Sequence, residues 1–412
     1  MKILPKICAL AASALTCIML AACGIISEAQ SEYAEADKWT FGKDISLLET
    51  YADCIVLGDG ESFLALSPKL QGRVLTSTFD GANGRSLGWY NRTLLANGGE
   101  ESHLNIIGGE DYVWVGPEGS EYSLFFPEKE LFIAQNWKIP AAFSAEPWKL
   151  AAKSKYQAKF EKQAKLKNAK GADVSMNVER EVSFVSKQNA SKILGVEIPD
   201  SVKVVAFQSI NKLTNSGAEA WGEGGALVNM SAHSCFNANK STYAFVPYKE
   251  GDQKQLGAII SDPYNEPVGD RLSVAPEYVR LRVDGFKVGE IFMNQKRSKN
   301  VIASYDSERN ILTIVKYLSP TRERKYLPAL WKRAADVFDG EALSVFNNGP
   351  AVQGSFFSEK FFETTTYSPA LALEPGKSQI HVQRVFHFQG SEYDLGIIAY
   401  KCLGLTINQL RP

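Results

Sequence analysis

CIVLGDGESFLALSPKLQGRVLTSTF, Cys54 to Phe79, decides the fold class. Its β-branched and apolar residues come in short runs, broken at Gly58-Asp59-Gly60 and again at Ser67-Pro68. Glycine tolerates the positive φ of tight turns and proline presets a turn dihedral, so the segment reads as three strands joined by two turns. The same style recurs in YSLFFP (122–127), DVSMNVEREVSFV (173–185), VKVVAFQSINKLTN (202–215), YVRLRVDG (278–285), NILTIVKYL (310–318) and SQIHVQRVFHFQG (378–390). Many short strands with frequent turns predict an all-β, antiparallel sandwich.

Helical periodicity is rare. ALWKRAADVF (329–338) predicts a short helix. SEYDLGIIAYKCLG (391–404) predicts a better one, with Leu395, Ile398 and Cys402 on one face and Gly404 at its stop. KLAAKSKYQAKFEKQAKLKNAKG (149–171) alternates lysine with small and polar residues, as expected of a solvated hairpin or an edge strand guarded by lysines.

The first residues predict an exported protein. MKILPK is basic, ICALAASALTCIML apolar, and LAAC (20–23) a small-residue cleavage site. LAAC resembles a bacterial lipobox, which implies lipidation at Cys23 and an anchor in the cell envelope, outer membrane facing periplasm or cell surface. The expected organisation is a signal peptide over 1–22, a flexible acidic tether over 23–45, and a single sandwich domain over 46–412. Beyond the leader and Cys23, only Cys54, Cys235 and Cys402 remain. One disulfide among them is open, but there is no disulfide framework and no zinc spacing.

The 412 residues carry 45 basic and 46 acidic side chains, for a net charge of −1. With both signs interspersed, nothing steers a polyanion, and no nucleic-acid partner is expected. No P-loop, dinucleotide fingerprint, GxSxG elbow or HExxH is present, so neither cofactor nor metal is predicted.

GGEDYVWVGPEG (108–119) brackets a short strand with turn glycines and sends Tyr112 and Trp114 to one face. An aromatic platform against a sugar C–H face, with carboxylates gripping hydroxyls, is how carbohydrate is held. Trp114, Glu110 and Glu118 fit that prescription, with Trp89, Asn91 and Arg73 nearby and His103 and Asn105 just upstream. The alternatives are a core tryptophan with turn-capping acids, or a calcium site. SDPYNEPVGDRL (261–272), which holds Tyr264, is a loop rich enough to carry binding groups. His381 and His387 share a strand face but stand about 20 Å apart, too far to share an ion.

Three of these stretches together resemble the galactose mutarotase-like (aldose 1-epimerase-like) superfamily. LALSPKLQGRVLTSTF resembles its opening, GGEDYVWVGPEG its Gly-Gly…Trp…Pro-Glu-Gly segment, and FFETTTYSPALALEPGKSQIHVQRVFHF (361–388) its closing strands. In this order, patchily over Cys54 to Leu405, they resemble a family of uncharacterised bacterial lipoproteins on that fold. The resemblance implies a β-supersandwich with a sugar-binding cleft on one concave sheet. It implies Glu363 as the base that takes the anomeric hydroxyl proton, and His233, in SAHSCFNA, as the acid at the ring oxygen. Tyrosine of the superfamily's histidine segment is here Cys235. An epimerase, or a sugar hydrolase or lyase in which Glu110 or Glu118 faces Glu363, is the enzyme reading. A sugar-binding lipoprotein without catalysis, or a structural envelope protein, is the other. In the first, Glu363 shares an open cleft with Trp114.

Overall fold

The computed structural model describes residues 39–98, 101, 106–262, 271–331, 336–349 and 360–411. Phe41–Pro412 forms one compact unit. Its strands, in chain order, are β1 (Ile55–Gly58), β2 (Phe63–Ser67), β3 (Arg73–Thr78), β4 (Tyr112–Gly116), β5 (Lys149–Lys153), β6 (Gln157–Lys167), β7 (Asp173–Phe184), β8 (Lys203–Asn215), β9 (Asn229–Asn237), β10 (Thr242–Pro247), β11 (Leu272–Ala275), β12 (Tyr278–Arg282), β13 (Gly289–Met293), β14 (Val301–Asp306), β15 (Ile311–Tyr317), β16 (Leu343–Asn347), β17 (Phe361–Tyr367) and β18 (Ser378–Gln389). The helices are few and short: α1 (Phe41–Tyr51), α2 (Arg92–Ala96), α3 (Lys187–Leu194), α4 (Gln253–Leu256), α5 (Glu392–Leu403) and α6 (Ile407–Leu410). The all-β expectation holds.

Two sheets make the sandwich. One has ten strands in the order β11-β12-β10-β14-β15-β18-β8-β7-β6-β5, the other five in the order β13-β16-β17-β9-β4, and a smaller sheet joins β1-β2-β3. Every pairing of neighbours in the large sheets is antiparallel. Strand alternation then divides the side chains. On β18, Val385 joins the core between the sheets, while Phe386 and Phe388 turn to the opposite face and pack with Leu395, Ile398 and Leu403 of α5. The ten-stranded sheet is therefore apolar on both faces at its centre, so its middle strands carry nearly continuous apolar runs.

The lysine-rich hairpin is β5 and β6. β5 is the exposed edge of the large sheet, and Lys149 and Lys165 pair with Glu161 and Asp173 at 3.4 and 3.2 Å. Exposed pairs of this kind contribute about 0–1 kcal/mol each. Their use is to keep the open edge from pairing with another chain. α5 begins at the Ser391 hydroxyl, which accepts from Asp394 N at 3.1 Å, and ends at Gly404 with φ +76°.

Three expectations change. Tyr122–Pro127 is a sequence of bends and not a strand, because Phe125 and Phe126 are needed as a lid over the five-stranded sheet. Residues 329–331 and 336–338 are not helical, and 332–335 lie outside the described residues. The expected tether is overtaken at Phe41 by α1, whose Asp44 is fully buried and accepts from Tyr90 Oη at 2.8 Å and Arg92 Nε at 2.7 Å. Cys54, Cys235 and Cys402 are all free thiols.

Candidate active site

The site stands on the face of the five-stranded sheet turned away from its partner sheet. β9 alternates so that Met230, Ala232, Ser234 and Phe236 face inward and Ser231, His233 and Cys235 outward. The inward side is marked by Gln383 of β18, whose Nε2 donates to Ser234 Oγ at 3.1 Å. The antiparallel register sets Tyr112 of β4 and Thr365 of β17 on either side of His233. One row along, Trp114 and Tyr367 flank Ser231, and Glu363 stands opposite Cys235. The outer row continues from Glu363 through Phe346 to Glu290 on β13.

Glu363 is the hub. Its Oε1 lies 2.9 Å from His233 Nδ1 and accepts from Thr365 Oγ1 at 3.0 Å; its Oε2 accepts from Tyr112 Oη at 2.8 Å and Cys235 Sγ at 3.1 Å. Burial by itself raises this carboxyl, but the charge of His233 and the hydrogen bonds from His233, Cys235 and Tyr112 together hold it at about 2. It is a carboxylate at any ordinary pH. Burial, reinforced by the Glu363 charge, pushes the Tyr112 phenol and the Cys235 thiol well above their usual range, so both remain donors.

An ionised carboxylate only accepts, so His233 Nδ1 carries a proton. The other ring nitrogen, Nε2, lies 2.8 Å from Ser231 Oγ. The imidazole stacks on Tyr112, centroids 4.8 Å apart and planes 11° apart, and Trp114 leans on it at 4.6 Å. The Arg73 guanidinium covers the far side of the Tyr112 ring at 4.6 Å. Above this layer Trp137 stacks on Trp331 at 5.3 Å, and the Trp331 indole N–H points to Glu118 Oε2 at 3.5 Å. Burial, helped by the Glu363 charge and opposed by His233, Trp331 and Trp137, raises Glu118 to about 7. Burial together with the Glu118 and Glu363 charges raises Glu290 well above the carboxylate range.

A family profile described as a family of unknown function, DUF6786, matches residues 39–412. The chain belongs to the DUF6786 family. No curated protein matches it. Among solved structures, this DUF6786 chain is similar to the Slr1438 protein of Synechocystis sp. PCC 6803, at 11% identity and TM-score 0.50, over 83% of this chain and 98% of that one. It is also similar to a galactose mutarotase-like protein from Lactobacillus casei ATCC 334, at 9% identity and TM-score 0.48 over 81% and 100%. A galactose mutarotase related enzyme from Lactobacillus acidophilus matches at 10% identity and TM-score 0.46, over 81% and 97%. Identities this low speak to fold alone.

In this DUF6786 member the structure gathers Glu363, His233, Trp114 and Glu118, four of the residues singled out from sequence. It changes their setting. The Glu363 side chain is 14% exposed and His233's 3%, and Trp114 is roofed by Phe125 at 5.3 Å and Trp137 at 5.9 Å. Trp114 is thus packed in a covered layer where an open cleft was expected. Glu363 and His233, expected as base at the anomeric hydroxyl and acid at the ring oxygen, are hydrogen-bonded to each other.

The remaining candidates lie elsewhere. Glu110 is buried between the sheets, accepting from Ser77 Oγ at 2.6 Å and lying 2.9 Å from His387 Nε2. Trp89 stacks on Phe361 at 3.9 Å and packs on Gly108, where a Cβ would come within 2.5 Å of its ring and φ is +73°. Asn91 caps α2 through Leu94 N at 2.8 Å. Arg73 is buried behind Tyr112, 3.0 Å from Glu101, and supports the site without lining it. Glu110, Asp111 and Glu118 diverge to His387, Arg180 and Trp331, so they do not form the calcium cluster. His103, Asn105 and Tyr264 lie outside the described residues, as does Cys23. Ser231, Tyr112, Thr365, Trp137, Trp331 and Glu290 were not anticipated as site residues. The signal for Ser231 was present: in SAHSC, residues 231, 233 and 235 share a strand face.

Proposed function

We propose that this protein binds and processes carbohydrate on the outer face of the five-stranded sheet, by acid/base chemistry centred on His233 Nε2 and Glu118. The observation that carries the reading is a pair of neighbouring carboxyl groups driven apart. Glu363, hydrogen-bonded to His233, is held at about 2, and Glu118, beneath the Trp331 indole, rises to about 7. Environments that split two carboxyls in this way assign one to fixed charge and the other to proton transfer near neutrality. Glu363 then orients and charges the imidazole and moves no proton itself. The base role that the mutarotase resemblance implied for Glu363 passes to His233, with Glu118 as the acid. Indoles and clustered acceptors suit a sugar better than a flat apolar ligand.

The test is a glycan-library binding and turnover screen on the mature protein, beside Glu118→Gln. With Glu118 as acid, the rate falls as pH rises through about 7, and Glu118→Gln flattens that limb. Stability has the same sign. A carboxyl raised above its unfolded value of 4.5 stabilises fully below that value and loses its contribution as pH rises through about 7. A rate profile identical in wild type and variant removes Glu118 from the chemistry. No glycan bound by either protein removes the carbohydrate reading.

We also propose that the chain is exported and lipid-anchored through Cys23, supported by the basic start, apolar run and LAAC of residues 1–23. Cells fed a labelled fatty acid should incorporate it into the wild type and not into Cys23→Ser. Equal labelling of both removes the anchor.

A further inference from the structure

We propose that Ser231, His233 and Glu363 form a nucleophilic triad, with Ser231 Oγ the attacking atom, and that the protein cleaves ester groups carried by its carbohydrate ligand. The ligand class rests on the function proposed above; the triad itself does not.

The geometry has the three links such a relay requires. Ser231 Oγ stands 2.8 Å from His233 Nε2, and His233 Nδ1 stands 2.9 Å from Glu363 Oε1. Both distances lie within hydrogen-bond reach, the condition for a base to take a hydroxyl proton. When the imidazole is neutral, a carboxylate accepting at Nδ1 leaves the Nε2 lone pair to the serine hydroxyl, which donates to it. The third member is a fixed anion, held by Thr365, Tyr112 and Cys235 as donors. That is what an orienting carboxylate needs, since it stabilises the imidazolium without taking its proton. Strand periodicity explains the first link, because residues two apart on β9 share a face.

A second observation points to a ligand beside the serine. Trp114 stands directly opposite Ser231 across the β4–β9 ladder. It is 4% exposed, and its indole N–H has no acceptor among the described residues. A buried N–H left without a partner is costly, so a ligand acceptor there would be favoured. Next to an attacking oxygen it is suited to receive the oxyanion of a tetrahedral intermediate.

The steps balance without a cofactor. Ser231 Oγ bonds to the ester carbonyl carbon while its proton passes to His233 Nε2, and the carbonyl electron pair moves onto the oxyanion. The oxyanion collapses, the bond to the sugar oxygen breaks, and that oxygen takes the proton from Nε2. Water then attacks the acyl-serine, giving its proton to Nε2, and Ser231 recovers its proton as the carboxylic acid leaves. The seryl ester is transient and every atom of the triad is restored.

The experiment uses the mature protein with a fluorophosphonate, with p-nitrophenyl acetate, and with an O-acetylated monosaccharide beside its unacetylated parent. Intact-mass and peptide spectra should place one phosphonyl adduct on Ser231. Ester turnover should fall at least 100-fold in Ser231→Ala and His233→Ala, and Glu363→Gln should slow labelling by a similar factor. Ser231→Cys covers the case in which the alanine variant does not fold: iodoacetamide should alkylate position 231 faster than Cys235. No adduct at Ser231 in a protein that still binds glycan overturns the triad and leaves the carbohydrate reading. An adduct and aryl-ester turnover without glycan binding keeps the triad and overturns that reading. Silence in every assay overturns both.

Discussion

Glu363→Gln should reduce turnover by about three to four orders of magnitude, the loss expected when an orienting carboxylate becomes an amide and the imidazole tautomer is no longer held. The same substitution should lower stability. A carboxyl held at about 2 against an unfolded value of 4.5 contributes on the order of a few kcal/mol while the imidazole beside it is charged. The sign follows from the depression. The contribution is complete above about 4.5 and is lost as pH falls from there through about 2. Urea denaturation of wild type and variant between pH 2.5 and 7 therefore separates two roles. The wild type should gain stability over the acid limb and the variant should gain much less. Parallel curves would mean that the hydrogen bonds to Glu363 survive in the amide and that charge is not what holds His233 in place.

Asp111→Ala should produce the larger structural loss. Asp111 and Arg180 are both fully buried between the sheets, their side chains in direct contact. Asp111 Oδ2 also accepts from Ser209 Oγ at 3.0 Å and Gln383 Nε2 at 2.9 Å, and Arg180 Nη1 donates to Asn211 Oδ1 at 2.8 Å. This network ties β7, β8 and β18 to the residue that leads into β4, the strand carrying Tyr112 and Trp114. Removing the carboxylate leaves a guanidinium uncompensated in the core, at a cost of about 3–5 kcal/mol. The paired replacement Asp111→Leu with Arg180→Met removes both charges and should recover most of that loss in the same urea measurement. A double variant as unstable as the single one would show that the network's geometry, and not an orphaned charge, holds the sheets in register.

Periodicity alone was enough to predict the all-β class, the edge hairpin of lysines and the C-terminal helix. Those features depend on local rules: alternation for strands, turn residues between them, a serine cap and a stop glycine around α5. It failed at Tyr122–Pro127, where the apolar pattern is that of a strand. A lid of aromatic side chains over a sheet looks the same in one dimension, because both bury a short continuous run, here Tyr122 to Phe126.

The site was legible in part. Resemblance led to Glu363 and His233, and composition to Trp114 and Glu118, but their relations were not in the sequence. Residues 112, 118, 231, 233, 331 and 363 come from four distant stretches, and register decides which of them touch. A one-residue slip of β9 would turn His233 inward and expose Ala232 and Ser234 instead. Glu110 and Glu118 are indistinguishable as letters, yet one is locked to His387 between the sheets and the other rises to about 7 beneath Trp331. Local chemistry and periodicity thus determined the strands and turns of this protein. Only the packed sheets determined which carboxyl is a fixed charge and which holds a proton, because burial and neighbouring charge set that difference.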